Sequence, residues 1–246
     1  MPQADEWLRK GWVNSSAKRV SGEFWRAVEA QHVVATMQLV DSLDEQAVLE
    51  ELLEASKPPV PDVAQGLDFL LSTPYRYPSA CESRFRKSHE LGIWYGASDT
   101  QTACAEVAYW RWRFFMDSEG LRTGKPIQVE LTLFAALVNG LALTLYEPPW
   151  VKLAALWADI NDYRHCHQLA AAARRAKVEW IAYASVRHAK GTCAAVLRPL
   201  ALKLRGNGHP QTWYCKVSET TVLFSRSGAY ARYEFPQGIS SGKRRS

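Results

Sequence analysis

The chain lacks most of the features that would announce a function. No apolar run approaches the roughly 18 residues that a membrane-spanning helix needs. The first ten residues, MPQADEWLRK, show no basic segment followed by an apolar core of the kind a secretory signal carries. A cytoplasmic protein with no membrane contact is the expectation. Cysteine is sparse: the five, at positions 81, 104, 166, 193 and 215, form no CxxC pair. That spacing speaks against a zinc ribbon or a dithiol redox motif and predicts reduced thiols that mostly pack. There is no GxxxxGK[ST] loop for phosphates, and the GNG at 206–208 is not followed by the third glycine and helix of a Rossmann fingerprint. HisCysHis at 165–167 does not supply a metal motif, because on a helix residues i and i+2 point in different directions and cannot converge on one ion. No metal is expected, and internal repeats and low-complexity tracts are absent as well.

What is present describes an ordinary globular chain. Of its 246 residues, 47% are hydrophobic and 22% charged, far from the signature of disorder and enough to bury one good core. The net charge of +5 hides an asymmetry. Residues 1–72 hold 6 Lys/Arg against 12 Asp/Glu, whereas residues 73–246 hold 24 against 13. A basic body suits an anionic ligand, whether nucleotide, nucleic acid or acidic protein, and charge alone does not choose among them. The terminal GKRRS reads as a solvated tail.

Apolar spacing places the elements. Phe24, Val28, Val33, Met37 and Val40 recur every three to five residues and predict an amphipathic helix over 23–41. Ser42 and Glu45 have capping-box spacing for a second helix, ended by KPPVP at 57–61. This acidic pair reads as a docking or bracing element, or as simple packing on the body. Pro74 and Pro78 bracket Tyr75, Arg76 and Tyr77, which predicts extended or turn backbone there. A short buried strand is expected over 91–96. A helix should follow from Ser98-x-x-Gln101, with Ala103, Val107, Trp110 and Phe114 on its buried face. IQVELTLF alternates like a half-buried strand, 151–177 is helical with a break near Asn161-Asp162, and strands follow at 179–185, 193–202, 212–217, 221–225 and 229–235. Strands interleaved with helices and then run consecutively predict an α+β fold ending in a β-meander. The expected division is a helical N-terminal extension, 1–66, and a body, 67–246.

The polar chemistry concentrates between 73 and 110, where Arg76, Tyr77, Arg84, Arg86, Tyr95 and Glu106 stand among short apolar runs. Guanidinium groups bind phosphate bidentately and keep their charge, so several on one loop suit a diphosphate. Tyr77 and Tyr95 offer flat rings for a base or a nicotinamide. A lone carboxylate, Glu106, suits a reaction through a ribosyl oxocarbenium ion. Together these groups point to a dinucleotide site, against the plainer reading of solvated arginines and a surface glutamate.

The segments TPYRYP, SRFR, GIWYGASDTQTACAEVAYWR and YASVRHAKGTCAAVLRP, preceded by ATMQLVDSLDEQAVLEELLEASKPP, resemble the RES-domain family, and they occur in that family's order over most of the chain. The resemblance implies an ADP-ribosyltransferase-like mixed β core with flanking helices. It implies the toxin of a RES-Xre toxin-antitoxin pair, paired with an Xre-type antitoxin, that destroys NAD by hydrolysis or phosphorolysis; ADP-ribosyl transfer to a protein is the alternative. NAD would be a substrate and nucleic acid would be met only through the antitoxin. Carried over by motif, the implied catalytic set is Arg76, Tyr95, Glu106 and Ser185. Arg84 and Tyr77 would bind the dinucleotide, and Arg187, two residues after Ser185, would either join the pocket or face solvent. Arg86 has no counterpart and reads as a surface charge. The acidic helices and the long insert between Glu106 and Ser185 depart from short family members. We expect residues 23–56 to serve partner binding or dimerisation. A nucleic-acid-binding module is the rival of another class, disfavoured because the basic residues are dispersed and no metal cluster accompanies them.

Overall fold

A computed structural model describes residues 6–29, 34–37, 39–121, 124–206 and 209–237. The GKRRS tail and the last two residues of GNG lie outside the described residues. The elements in chain order are α1 (Glu6–Arg9), α2 (Trp12–Ser16), β1 (Lys18–Glu29), α3 (Val34–Met37), α4 (Leu43–Ser56), α5 (Phe69–Arg76), β2 (Trp94–Ala97), α6 (Thr100–Asp117), β3 (Ile127–Thr144), α7 (Ala154–Ala158), α8 (Arg164–Arg175), β4 (Trp180–Ala184), β5 (Thr192–Val196), β6 (Leu202–Leu204), β7 (Gln211–Val217), β8 (Thr221–Arg226) and β9 (Arg232–Pro236).

β3 is the spine. Along one edge it pairs antiparallel with β1 through twelve consecutive residues, from Lys18↔Ala142 to Glu29↔Leu131. Its first half pairs with β7, its middle with β6, and its end runs parallel to β4 from Ala142↔Trp180. β4 continues to β5, β5 to β2, and β2 returns to β1 at the single pair Trp25↔Ala97, so the ladder closes into a ring. β7, β8 and β9 extend from β3 as the expected meander. The α+β class with a large mixed sheet is therefore the one the interleaved pattern predicted.

Period-two alternation divides the core between the two faces of these strands. Trp180, Ala182, Trp94, Ala194 and Val196 join Phe24, Leu71 and Tyr75 on one face. Ile181, Tyr183, Cys193 and Ala195 join the helical layer of α6 and α8 on the other. All five cysteines are free, and four are buried in this packing.

Four local expectations are corrected. Residues 18–29 form a strand, not the start of a helix over 23–41 (residues 30–33 and 38 of that expectation lie outside the described residues). The drifting apolar spacing competed with alternation in EFWRAVE, and twelve cross-strand pairs to β3 decided for the strand. Arg76 ends a helix instead of lying on extended backbone. α5 carries Pro74 inside it, and Tyr75, fully buried with its hydroxyl donating to the Val196 carbonyl at 2.9 Å, anchors its last turn against the proline's local preference. On α6, Trp110 and Phe114 point outward, at 51% and 58% exposure, because the small face Thr102, Ala103, Cys104, Ala105 and Ala108 packs inward with Phe115. Its cap is Asp99, which accepts from the Thr102 amide at 2.7 Å, one residue past the expected Ser98. α4 begins as expected, with Ser42 accepting from the Glu45 amide, and it leaves Leu43, Val48 and Leu52 exposed.

The end of α5 presses on the chain entering β2: a Cβ on Gly92 would lie 1.6 Å from the Pro74 carbonyl oxygen. Gly92→Ala should force the two backbones apart and cost roughly 2–3 kcal/mol, read as a Tm lower by about 5–10 °C. An unchanged melting curve would refute this packing.

Candidate functional site

The functional side chains come together where β1 and β2 meet for their single pair and α6 crosses them. A cleft of about 280 Å³ opens there, lined by Trp25, Arg26, Ser83, Arg84, Tyr95, Glu106, Trp110, Tyr163, Tyr183, Arg187 and Cys193 among others. Each group arrives by a different route. β2 brings Tyr95, α6 brings Glu106 two turns from its cap, and the turn after β4 brings Ser185 and Arg187.

Glu106 is a positioned carboxylate. Its Oε1 accepts from the Ser185 hydroxyl at 2.5 Å, with the Cys193 thiol at 3.9 Å. Ser185 is itself held, because its Oγ accepts from the backbone amides of Arg187 and His188 at 3.1 and 3.0 Å and its own amide donates to the Gly191 carbonyl. Its hydroxyl hydrogen is thereby directed at Glu106. Burial, with the neighbouring Glu106 charge, pushes the Cys193 thiol far up, so it packs as a neutral group and is no nucleophile. The loop carrying these groups is tied down further by His188 Nδ1, 2.8 Å from Thr102 Oγ1 beside Asp99.

Three arginines face this carboxylate's cleft in different states. Arg84 is buried, and its Nη1 donates to the carbonyls of Trp157 and Asp159 at 2.6 and 2.9 Å, while its guanidinium lies over the Tyr163 ring at 5.1 Å. The insert between Glu106 and Ser185 thus builds one wall. Arg187 sits 3.6 Å over the Tyr109 ring, and its Nε is buried without a hydrogen-bond partner. Arg26 donates from Nη1 to the Tyr95 carbonyl at 2.9 Å and also has a buried, unpartnered Nε. Burial pushes Arg26 down to about 10, which leaves it charged at neutral pH. Three guanidinium groups thus put positive charge on the cleft wall, a chemistry that suits an anion.

Tyr95 lines the cleft with its ring. Its hydroxyl, 2.9 Å from Ser83 Oγ, accepts from the Phe85 amide at 3.2 Å and so holds the turn that carries Arg84. His167 Nε2 donates to the Ser83 carbonyl at 2.8 Å from the other side. HisCysHis is thus a brace for that turn: Cys166 is buried near the Leu156 and Trp157 carbonyls, with burial pushing its thiol up to about 11. Among the described residues no group of three His, Cys, Asp or Glu could hold a metal.

The other expected members lie elsewhere. Arg76 pairs with Glu54 at 2.8 Å and donates to the Pro58 carbonyl, latching α4 to the body; neither it nor the 40%-exposed Tyr77 lines the cleft. Arg86 is buried rather than a surface charge, donating to the Ser79 and Cys81 carbonyls across its own loop. Arg26, which the sequence reading did not single out, lines the cleft. Strand alternation through Phe24, Arg26 and Val28 was its available signal, concealed by the helical reading of the same stretch.

Residues 59–216 match the RES domain family, and the chain belongs to it. No curated protein matches the sequence. Among solved structures, the chain is similar to one in the crystal structure of the M. tuberculosis MbcT-MbcA toxin-antitoxin complex, with 15% identity, a TM-score of 0.48, and coverage of 82% of this chain and 91% of that one. No helix among the described residues is long and apolar enough to cross a membrane.

Because burial lowers the Arg26 pKa, its charge costs the folded state stability. That cost is fully present at neutral pH and is relieved as pH climbs from about 10. Arg26→Met should therefore melt at the same or a higher temperature than the parent at pH 7, with any gain shrinking only as pH rises above about 10, and should show less stabilisation by inorganic pyrophosphate. Thermal melts across pH, with and without pyrophosphate, check this; a lower Tm with undiminished pyrophosphate stabilisation would contradict it.

Proposed function

We propose that the chain cleaves the bond between nicotinamide and ribose in NAD, as the toxin of a toxin-antitoxin pair. One observation carries this reading: a single carboxylate, oriented by a serine, faces a cleft edged by three arginines, two of which hold buried donors with no partner. The arginines suit the diphosphate, and the aromatic walls Tyr95, Tyr163 and Trp25 suit the nicotinamide ring. Glu106, with Oε1 occupied by Ser185, turns Oε2 to the ribose. There it stabilises positive charge at C1′ as the C1′–N bond breaks and the electron pair leaves with neutral nicotinamide. Water then gives ADP-ribose, and inorganic phosphate gives its 1″-phosphate. In this reading Arg26 takes the place that the resemblance assigned to Arg76, while Arg76 and Tyr77 support the catalytic body from outside.

The same site serves a mono-ADP-ribosyltransferase, in which a protein side chain attacks C1′. Family membership favours an antitoxin partner, for which the Xre type is our proposal, and the acidic, apolar-striped α4 is the surface we assign to partner contact or dimerisation. A cytoplasmic location follows from an NAD substrate. Nothing in the cleft favours a nucleic acid over a dinucleotide.

Purified protein incubated with NAD should release nicotinamide, and Glu106→Gln should reduce the rate about 100-fold or more. Absence of nicotinamide both with and without phosphate would overturn the reading. NAD labelled in the ADP-ribosyl part separates the acceptors: label stays in small molecules for hydrolysis or phosphorolysis and moves to protein for transfer. Arg76→Ala should leave KM for NAD within about twofold, since Arg76 pairs with Glu54 and does not line the cleft. A tenfold rise in KM would restore Arg76 to the site.

A further inference from the structure

The cleft is too small for a whole dinucleotide. Its volume of about 280 Å³ sits at the low end of the roughly 300–1,000 Å³ of small-molecule sites, which is room for the nicotinamide ribosyl half. Its wall is also shared. Ala27, Val107 and Trp110 belong equally to a second depression of about 450 Å³ between β1 and α6, lined further by Val28, Phe114 and Leu131 and closed at its far end by the Glu29–Arg111 ion pair. The two hollows therefore adjoin along β1 and α6, divided by side chains they share.

The side chains along α6 explain what the second stretch suits. Glu106, Trp110 and Phe114 succeed one another at i, i+4 and i+8 on one helix face. That spacing puts Phe114 about 12 Å along the axis from the carboxylate, comparable with the reach of a ribose–diphosphate–ribose bridge. Trp110 and Phe114 expose half or more of their surface, whereas the inward packing of α6 is made by small residues and Phe115. Leu131, 1% exposed, floors the hollow. A flat apolar surface flanked by aromatic rings, one diphosphate length from the reacting carbon, fits a purine base. The buried, unpartnered Arg26 and Arg187 donors lie at the cleft end of the groove, where the phosphates would pass.

We propose that this groove between β1 and α6 is the adenosine subsite, with Trp110 and Phe114 as its stacking surface. The proposal rests on the NAD reading of the neighbouring cleft, and it makes these two residues determinants of dinucleotide over mononucleotide specificity.

The test compares NAD with nicotinamide mononucleotide, which keeps the scissile bond and lacks the adenylyl half. Trp110→Ala and Phe114→Ala should each raise KM for NAD about 5- to 150-fold, the range stacking on one aromatic gives. For Phe114→Ala, which lines the second hollow and not the cleft, kcat for NAD and kcat/KM for the mononucleotide should stay within about twofold, and Trp110→Phe should recover most of the affinity that Trp110→Ala loses. Calorimetric titration of AMP and ADP-ribose into the same proteins supplies a readout independent of turnover, with both ligands weakened in the alanine variants. Unchanged NAD kinetics, as for a groove reserved for a protein partner, or equal losses on both substrates, overturn the proposal. If the parent releases no nicotinamide from either substrate, the reaction falls; the subsite then stands only if AMP binds and Trp110→Ala weakens it, and it falls if AMP does not bind.

Discussion

The pairing of β1 with β3 is the constraint on which the site depends. Twelve consecutive pairs hold β1 against the spine of the sheet, while its other edge meets β2 at one pair alone. The ring closes there, but loosely, and the loose seam is where the cleft lies. Arg26 sits next to that single pair and reaches the Tyr95 carbonyl across it, so a donor that would be an ordinary ladder side chain elsewhere becomes part of the cleft wall. A shift of register by one residue would move Arg26 to the opposite face and Trp25 out of the cleft wall.

Around the seam, supports are layered so that the reactive groups do not have to find their geometry when a ligand arrives. Ser185 orients Glu106, two backbone amides orient Ser185, and the Thr102–His188 contact ties that loop to the cap of α6. The turn carrying Arg84 is held from three sides by Tyr95, His167 and the carbonyls of the 157–159 segment. Fixed dipoles and charges of this kind stabilise developing charge without reorganising. The insert between Glu106 and Ser185 therefore belongs to the cleft wall, through Tyr163 and through the Trp157 and Asp159 carbonyls that accept from Arg84.

The segment between 73 and 110 divides in two on this view. Arg84, Tyr95 and Glu106 converge on the cleft, whereas Arg76 and Arg86 act structurally, one latching α4 and the other stapling its own loop. The three arginines are alike as residue types and lie near one another in the chain. Their separation follows from Tyr75, whose burial and bond to the Val196 carbonyl turn the end of α5 so that Arg76 faces Glu54.

The amino-acid sequence by itself determined the class of fold, the meander at its end, the α4 cap at Ser42, the strand character of 127–134, and the identity of Arg84, Tyr95, Glu106, Ser185 and Arg187 as the residues to watch. Those features rest on local periodicity, capping chemistry and motif, which neighbours in the chain carry. Only the tertiary structure decided that residues 18–29 form a strand, that Arg26 lines the cleft, that Arg76 pairs with Glu54 outside it, and that Trp110 and Phe114 stay exposed. Each of these depends on partners more than 20 residues away: β3 for β1, Glu54 and Val196 for the end of α5, and the sheet that received the small face of α6. Local propensity is worth a fraction of a kcal/mol per residue, and long-range pairing and burial outweigh it wherever the two disagree.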